Sequence, residues 1–197
     1  MGNNIIALVI LAAFYVSYIA KMFLLRRQNI KGDVLGKGEK PKRQAALETA
    51  LKCVTYLGAA AQFASTLFDG KLRGFTAHPA IQITGIALMA CGTAAFVAAI
   101  VTMKSNWRAG YSEGQGTRLV TSGIYRWSRN PAFLGFDLLY IGCALAFPNV
   151  VNIAFALAAL ALFHAQILGE EAFLEQTFGE EYQVYRAKTL RYFGLRR

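Results

Sequence analysis

The chain has 197 residues, of which 55% are hydrophobic and only 16% charged, and it carries a formal net charge of +10. A mean hydropathy of +0.36 excludes an ordinary water-soluble domain and points to apolar membrane spans joined by basic loops. The Lys and Arg excess falls between the apolar runs, which suits an anionic cytoplasmic leaflet and argues against nucleic acid as a partner.

Five apolar segments are long enough, or nearly so, for a helix across a hydrocarbon core that needs about 20 residues. The first covers about 4–25. It lacks a basic leading region and a small-residue cleavage site, so it is expected to be a retained transmembrane helix rather than a signal peptide. The second, about 47–68, is less clean and carries Glu48, Lys52 and Gln62. The third, about 80–103, is rich in Ala and Gly and uncharged; Gly85, Ala90, Gly92 and Ala94 permit close helix packing. The fourth opens at Pro131 and ends near Phe147, and the fifth covers about 150–168. Only Pro148 and Asn149 separate these two, which predicts a tight helical hairpin. Cys53, Cys91 and Cys143 all sit inside apolar runs, in no CxxC or CxxH pair, so no disulfide framework and no metal site is expected.

Basic residues crowd 26–46, 104–130 and the tail after 168, whereas the opposite side has only Lys71 and Arg73. The positive-inside rule then puts the N-terminus outside and the C-terminus in the cytoplasm, with five crossings. The expected fold is all-α: one polytopic integral membrane domain over 1–197. Residues 1–103 hold three spans and the basic loop 26–46; residues 104–197 hold the hairpin and an amphipathic cytoplasmic tail.

Charge at membrane depth is costly and is usually paired or functional. Asp137 lies about two turns inside the fourth segment. The hairpin gathers Arg129, Asn130, Glu170 and Glu171 at one cytoplasmic mouth, with Tyr125, Trp127 and Phe133 as aromatic walls. Structural readings stand beside this one. Asn130 and Pro131 are a good helix start, Asn as N-cap and Pro as first helical residue. The arginines serve as positive-inside anchors and Tyr125 and Trp127 as interfacial aromatics; Asp137 and His164 suit buried polar positions. A helix N-terminus beside an arginine suits a carboxylate or phosphate. Carboxylates suit an ammonium or ribose hydroxyls, and aromatic faces suit a cation. S-adenosylmethionine presents all of these groups.

The run LVTSGIYRWSRNPAFLG (119–135) resembles the G-x-Y-x-x-x-R-[HN]-P-x-[YF]-x-G signature of the isoprenylcysteine carboxyl methyltransferase family, itself similar to phospholipid N-methyltransferases. The run EEAFLEQTFGEEYQVY (170–185) matches that family's second signature throughout. The resemblance covers about 104–193 and implies an integral membrane methyltransferase using S-adenosylmethionine. It implies a cofactor site from Leu119, Val120, Gly123, Tyr125, Arg129, Asn130, Pro131, Phe133 and Gly135, completed by Glu170 and Glu171 and closed by Tyr182 and Tyr185. Arg129, Glu170, Glu171 and Asp137 are the candidate catalytic residues, with Asp137 and His164 expected at the inner end where an acceptor enters. The acceptor expected is a small molecule or lipid: an isoprenylcysteine-type carboxylate, a phospholipid amine or a thiol. Eukaryotic members of that family usually have His where this chain has Asn130, Asn occurring in bacterial members, and the tail has Gly194 where the family pattern usually has Pro. The competing classes are a membrane reductase using a nicotinamide cofactor, for which five spans are few, and a non-catalytic membrane protein, which leaves the paired motifs unexplained.

Overall fold

The computed structural model describes residues 2–37, 40–72, 74–75, 78–110 and 118–194. Seven α-helices account for most of them: α1 (Gly2–Arg27), α2 (Lys42–Leu67), the short α3 (Asp69–Leu72), α4 (Pro79–Met103), α5 (Pro131–Ala146), α6 (Val150–Phe178) and α7 (Glu180–Lys188). Single 3-10 turns follow α4 (Lys104–Asn106) and precede α5 (Gly123–Arg126).

Among the described residues three helices are long and apolar enough to cross a membrane: α1, α4 with its 3-10 extension, and α6. Of the five expected spans, the other two differ for physical reasons. α5 is apolar but has 16 residues, about 24 Å at 1.5 Å per residue, short of a hydrocarbon core about 30 Å thick. α2 turns a polar stripe of Glu48, Gln62, Ser65 and Thr66 into the protein and so dilutes its own hydropathy.

The helix ends follow local chemistry. After α1, Asn29 takes a left-handed φ of 56°, and the Ile30 amide donates to the Leu25 carbonyl at 2.9 Å, closing the C-terminus. Lys21, one turn earlier, reaches across to donate to the Ile100 and Lys104 carbonyls at the end of α4 (2.8 and 2.6 Å). Asn149 caps α6 by accepting from the Asn152 amide at 2.9 Å. α6 then runs ten residues beyond the expected 168, to Phe178, and breaks at Gly179.

The tightest packing in the molecule is α4 against α5. A Cβ on Gly85 would lie 2.5 Å from the Gly142 carbonyl oxygen, and one on Gly92 would lie 2.6 Å from that of Gly135. The reverse contacts, from Gly142 and Gly135, are equally close. Glycine thus faces glycine twice, seven residues apart on each helix, and the backbones touch. Gly85 and Gly92 are consumed within the chain, whereas Ala90 and Ala94 are exposed. Around this seam Phe14 and Tyr18 of α1, Phe96 of α4, Phe136 of α5 and Trp107 form an aromatic cluster with centroid spacings of 4.6–6.4 Å. α2 packs on α6, and α6 in turn packs on α5.

Candidate functional site

The segment before α5 is positioned by a glycine and a tail. Gly123 sits at φ +60°, and a Cβ there would meet the Thr102 side chain at 2.8 Å, so only glycine lets the 3-10 turn lie on α4. The tail after α7 then wraps this turn. The Arg129 amide donates to Leu190 O (3.0 Å) and the Gly194 amide to Trp127 O (2.7 Å). Tyr185 donates its hydroxyl to the Tyr125 carbonyl at 2.7 Å.

Asn130 holds the N-cap position of α5 and Pro131 its first turn, but the Asn130 side chain makes no cap bond. The helix start read from the sequence is thus in place, while the neighbouring charge holds the side chain. The Asn130 amide donates instead to Glu171 Oε1 (3.0 Å) and to the Arg191 carbonyl (3.2 Å). Glu171 also receives Arg129 through Nη2 at 2.9 Å and Nε at 3.3 Å, and Arg191 through Nη2 at 3.0 Å. Arg129 spends Nη1 on the carbonyls of Thr189 (2.6 Å) and Arg186 (3.5 Å). Arg129, Asn130 and Glu171 are all buried. The four side chains form a closed knot joining α5, α6 and the tail.

Glu170 faces the other way, since consecutive residues on a helix point about 100° apart. It accepts from Gln166 Nε2 at 3.2 Å. Gln166 also accepts from Gln44 (2.9 Å) and contacts the fully buried Glu48 (3.4 Å). Glu48 is held in turn by Lys40 at 2.7 Å, Gln44 at 3.0 Å and the Gly36 amide at 2.5 Å. A polar chain therefore runs from the loop after α1, through α2, to Glu170.

Glu170 lies on the wall of a cavity of about 420 Å³, a size typical of small-ligand sites. Of the residues named from the sequence, Leu119, Val120, Tyr125 and Arg129 line it, as do Asn130, Phe133, Glu170 and Tyr185. Burial first, then the charges of Tyr185 and Glu170, raise the Tyr125 phenol well above its ordinary pKa. Gly123, Pro131, Gly135, Glu171 and Tyr182 lie behind this wall and shape it; Tyr182 is fully buried, and burial with the Glu171 charge pushes its phenol up to about 12.

Asp137 and His164 are also absent from the wall. His164 is exposed, with Nδ1 2.6 Å from the Tyr192 hydroxyl. The Asp137 Oδ1 is buried without a hydrogen-bond partner among the described residues. Burial first, and the Asp137 charge second, raise the Tyr192 phenol.

Sequence reasoning missed the N-terminal half of the cavity. Tyr15, Tyr18 and Ile19 of α1 and Lys52, Thr55 and Tyr56 of α2 line it, together with Gln166. The available signal was Glu48 and Lys52, two charges inside an otherwise apolar run. Lys52 pairs with Asp33 at 2.9 Å. Asp33 in turn bridges Ala109, so the loop after α1 is stitched to the segment after α4, with Val34 N to Ala109 O at 3.0 Å and Ala109 N to Gly32 O at 2.8 Å. Burial alone would raise the Asp33 carboxyl, but Lys52 and Lys37 outweigh it and hold its pKa below the usual value.

Among the described residues these features define an all-helical fold with helices long and apolar enough to cross a membrane and an amphipathic cavity, its polar end at the N-terminus of α5 and its aromatic end among α1, α4 and α6. Residues 80–181, a little over half of the chain, match the family described as phospholipid methyltransferase, and the chain belongs to that family. The matched region begins at α4, one helix before the two motifs read from the sequence. Among curated proteins, protein-S-isoprenylcysteine O-methyltransferase of Homo sapiens is 32% identical over 111 residues, which is 55% of this chain and 39% of the human one. Protein-S-isoprenylcysteine O-methyltransferase A of Arabidopsis thaliana is 32% identical over 117 residues, 57% of this chain and 58% of its own. The Schizosaccharomyces pombe protein of the same name is 38% identical over 71 residues, 36% of this chain and 30% of its own. The chain thus spans between about a third and three-fifths of the length of these relatives.

Proposed function

We propose that the protein is an integral membrane methyltransferase that uses S-adenosylmethionine and methylates the carboxylate of an isoprenylcysteine-like acceptor. The observation that carries this is the continuity of one cavity from Glu170, Asn130 and Arg129 to Tyr15, Tyr18, Phe96 and Phe136. A charged cofactor fits the first end and a prenyl chain the second. We place five crossings across the bilayer, with α2 and the short α5 completing the three long apolar helices. The N-terminus is outside, and the polar end of the cavity, the tail and the basic loops face the cytoplasm.

The donor set suits the cofactor. Glu170 presents a carboxylate oxygen for an ammonium or ribose hydroxyl, and Tyr125, Phe133 and Tyr185 offer aromatic faces to a sulfonium. Arg129 and Glu171 hold the tail over the site. S-adenosylmethionine supplies, when bound, a methyl group on a positively charged sulfur. Held by Glu170, Tyr125, Phe133 and Tyr185, it would supply that methyl to an acceptor carboxylate oxygen, and the carbon–sulfur electron pair would stay with sulfur. A carboxylate arrives already deprotonated, so the protein needs no general base. Its contribution is alignment and water exclusion, and alignment alone supplies about 7–11 kcal/mol in favourable cases. The aromatic walls from Phe96, Phe136 and Phe163 keep the reacting groups dry.

The test is calorimetric titration of S-adenosylhomocysteine into detergent-purified protein, beside Glu170→Ala. Saturable binding by the wild type, weakened at least tenfold in the variant, is expected. A folded wild type that binds no S-adenosylhomocysteine but does bind a nicotinamide dinucleotide would replace this reading with a reductase.

A further inference from the structure

The cations around the polar end of the cavity are not equivalent. Lys52 is matched by Asp33 at 2.9 Å, and Arg129 by Glu171 at 2.9 Å. Arg108 stands apart. It lies on the cavity wall just after Trp107, where the chain leaves α4. Its Nη1 donates to the Ser105 carbonyl and, at 2.8 Å, to the Trp107 carbonyl, which fixes the guanidinium in place. Its Nε is buried and has no acceptor, and among the described residues no carboxylate pairs with it.

Burial lowers the Arg108 pKa and no anion offsets it. Lys21, on the neighbouring face of α1, adds positive charge rather than compensation. A buried guanidinium N–H without an acceptor is costly, and an unpaired group of this kind in a cleft marks a place where a ligand completes the bond.

We propose that Arg108 is the carboxylate anchor of this cavity, receiving through Nε a ligand carboxylate whose apolar body lies against the aromatic wall. The inference rests on the methyltransferase reading and deepens it. Two ligands of that reaction present a carboxylate: the amino-acid end of the cofactor, and the reacting end of an isoprenylcysteine. Arg129, the arginine of the sequence motif, is already saturated by Glu171 and the tail carbonyls, and Arg118 on the same wall is exposed to solvent, so among the described cavity arginines it is Arg108 that holds a buried donor without an acceptor.

The experiment compares wild type, Arg108→Gln and Arg108→Lys in neutral detergent, each first checked for an unchanged thermal unfolding profile. S-adenosylhomocysteine is titrated beside 5′-methylthioadenosine, which lacks the amino-acid end. N-acetyl-S-farnesylcysteine is titrated beside its methyl ester. Arg108→Gln is expected to weaken one carboxylate ligand at least tenfold and to leave its carboxylate-free counterpart unchanged, with partial recovery in Arg108→Lys. Loss on S-adenosylhomocysteine assigns the subsite to the cofactor; loss on the farnesylcysteine assigns it to the acceptor. Equal binding of both carboxylates by wild type and Arg108→Gln overturns the proposal.

If wild type binds neither pair, the methyltransferase reading falls, and the subsite is judged separately. Laurate and dodecanol are then titrated into a Trp127→Phe background, in which Trp107, next to Arg108, is the single tryptophan. A laurate response abolished by Arg108→Gln, with dodecanol silent, sustains the anchor; a response that survives the substitution, or none at all, refutes it.

Discussion

Replacing Glu171 with glutamine removes one negative charge from the knot and little else. The perturbation is felt mainly by Arg129, because that ion pair has side chains only 5% and 9% exposed, whereas Arg191 is 34% exposed. Breaking a buried pair from one side costs about 3–5 kcal/mol. Glutamine keeps an oxygen that still accepts from Asn130 or Arg129, so the lower end, about 3 kcal/mol, applies to Arg129. The half-exposed Arg191 adds less than about 1 kcal/mol. At about 1.4 kcal/mol per factor of ten, tail opening becomes about a hundredfold more frequent. The groups that report it are the amides of Arg129 and Gly194, which donate to Leu190 O and Trp127 O across the tail contact. Hydrogen exchange in detergent, read by mass spectrometry on peptides 123–130 and 189–194, is expected to accelerate by that factor while α4 and α5 keep their protection. S-adenosylhomocysteine affinity should fall only as far as the tail opens. If affinity collapses and tail exchange stays at the wild-type rate, Glu171 contacts the ligand directly and its role as a tail lock is wrong.

Gly92→Ala forces a Cβ to within 2.6 Å of the Gly135 carbonyl oxygen and should destabilise the protein by about 1–3 kcal/mol; an unchanged denaturation midpoint refutes the contact. Asp137→Asn removes a carboxylate with a buried, unpartnered oxygen and should raise stability by about 1–2 kcal/mol, measured by thermal unfolding. A tenfold loss of turnover without that gain would make Asp137 a substrate contact. Asp33 has a depressed pKa in the folded protein, so its contribution is complete above the unfolded value of about 3.9 and disappears as pH falls through the folded value. In a Trp127→Phe background, Trp107 fluorescence should hold steady from pH 7 to 5 and change only below about pH 4; a transition near neutrality would assign the loop stitch to another group.

The helices and the hairpin turn were legible because their signals are local. Apolar runs mark α1, α4 and α6, and Pro148 with the Asn149 cap marks the turn between α5 and α6. The motif segments were legible as a mouth, since a hairpin must bring residues 129 and 170 to one end. What was not legible is which face each side chain takes. Asn130 reads as a cap because Asn commonly is one; a buried Glu171 three ångströms away, from a helix 41 residues distant, claims its amide instead. The contribution of α1 and α2 to the cavity was hidden for a related reason. Tyr15 and Tyr18 look like span aromatics, and only helix packing turns Tyr18 toward Phe96 and Phe136 and Tyr15 toward Phe63 and Gln62 of α2.

Glu170 and Glu171 carry the same chemistry one residue apart, yet the fold gives them opposite roles. Glu171 meets two arginines and an asparagine, so its oxygens are saturated and its removal is a structural event. Glu170 meets one glutamine and a cavity. The cavity arginines divide in the same way: Arg129 is committed to protein acceptors, Arg118 is exposed, and Arg108 retains a buried donor without an acceptor among the described residues. Groups already paired within the protein have little left to give a ligand, and those left incomplete on a cavity wall gain most from one. By that criterion the buried groups left for a ligand are the Glu170 carboxyl and the Arg108 guanidinium. Such a pair matches a ligand or ligand set that brings both an ammonium or hydroxyl and a carboxylate into a largely apolar space.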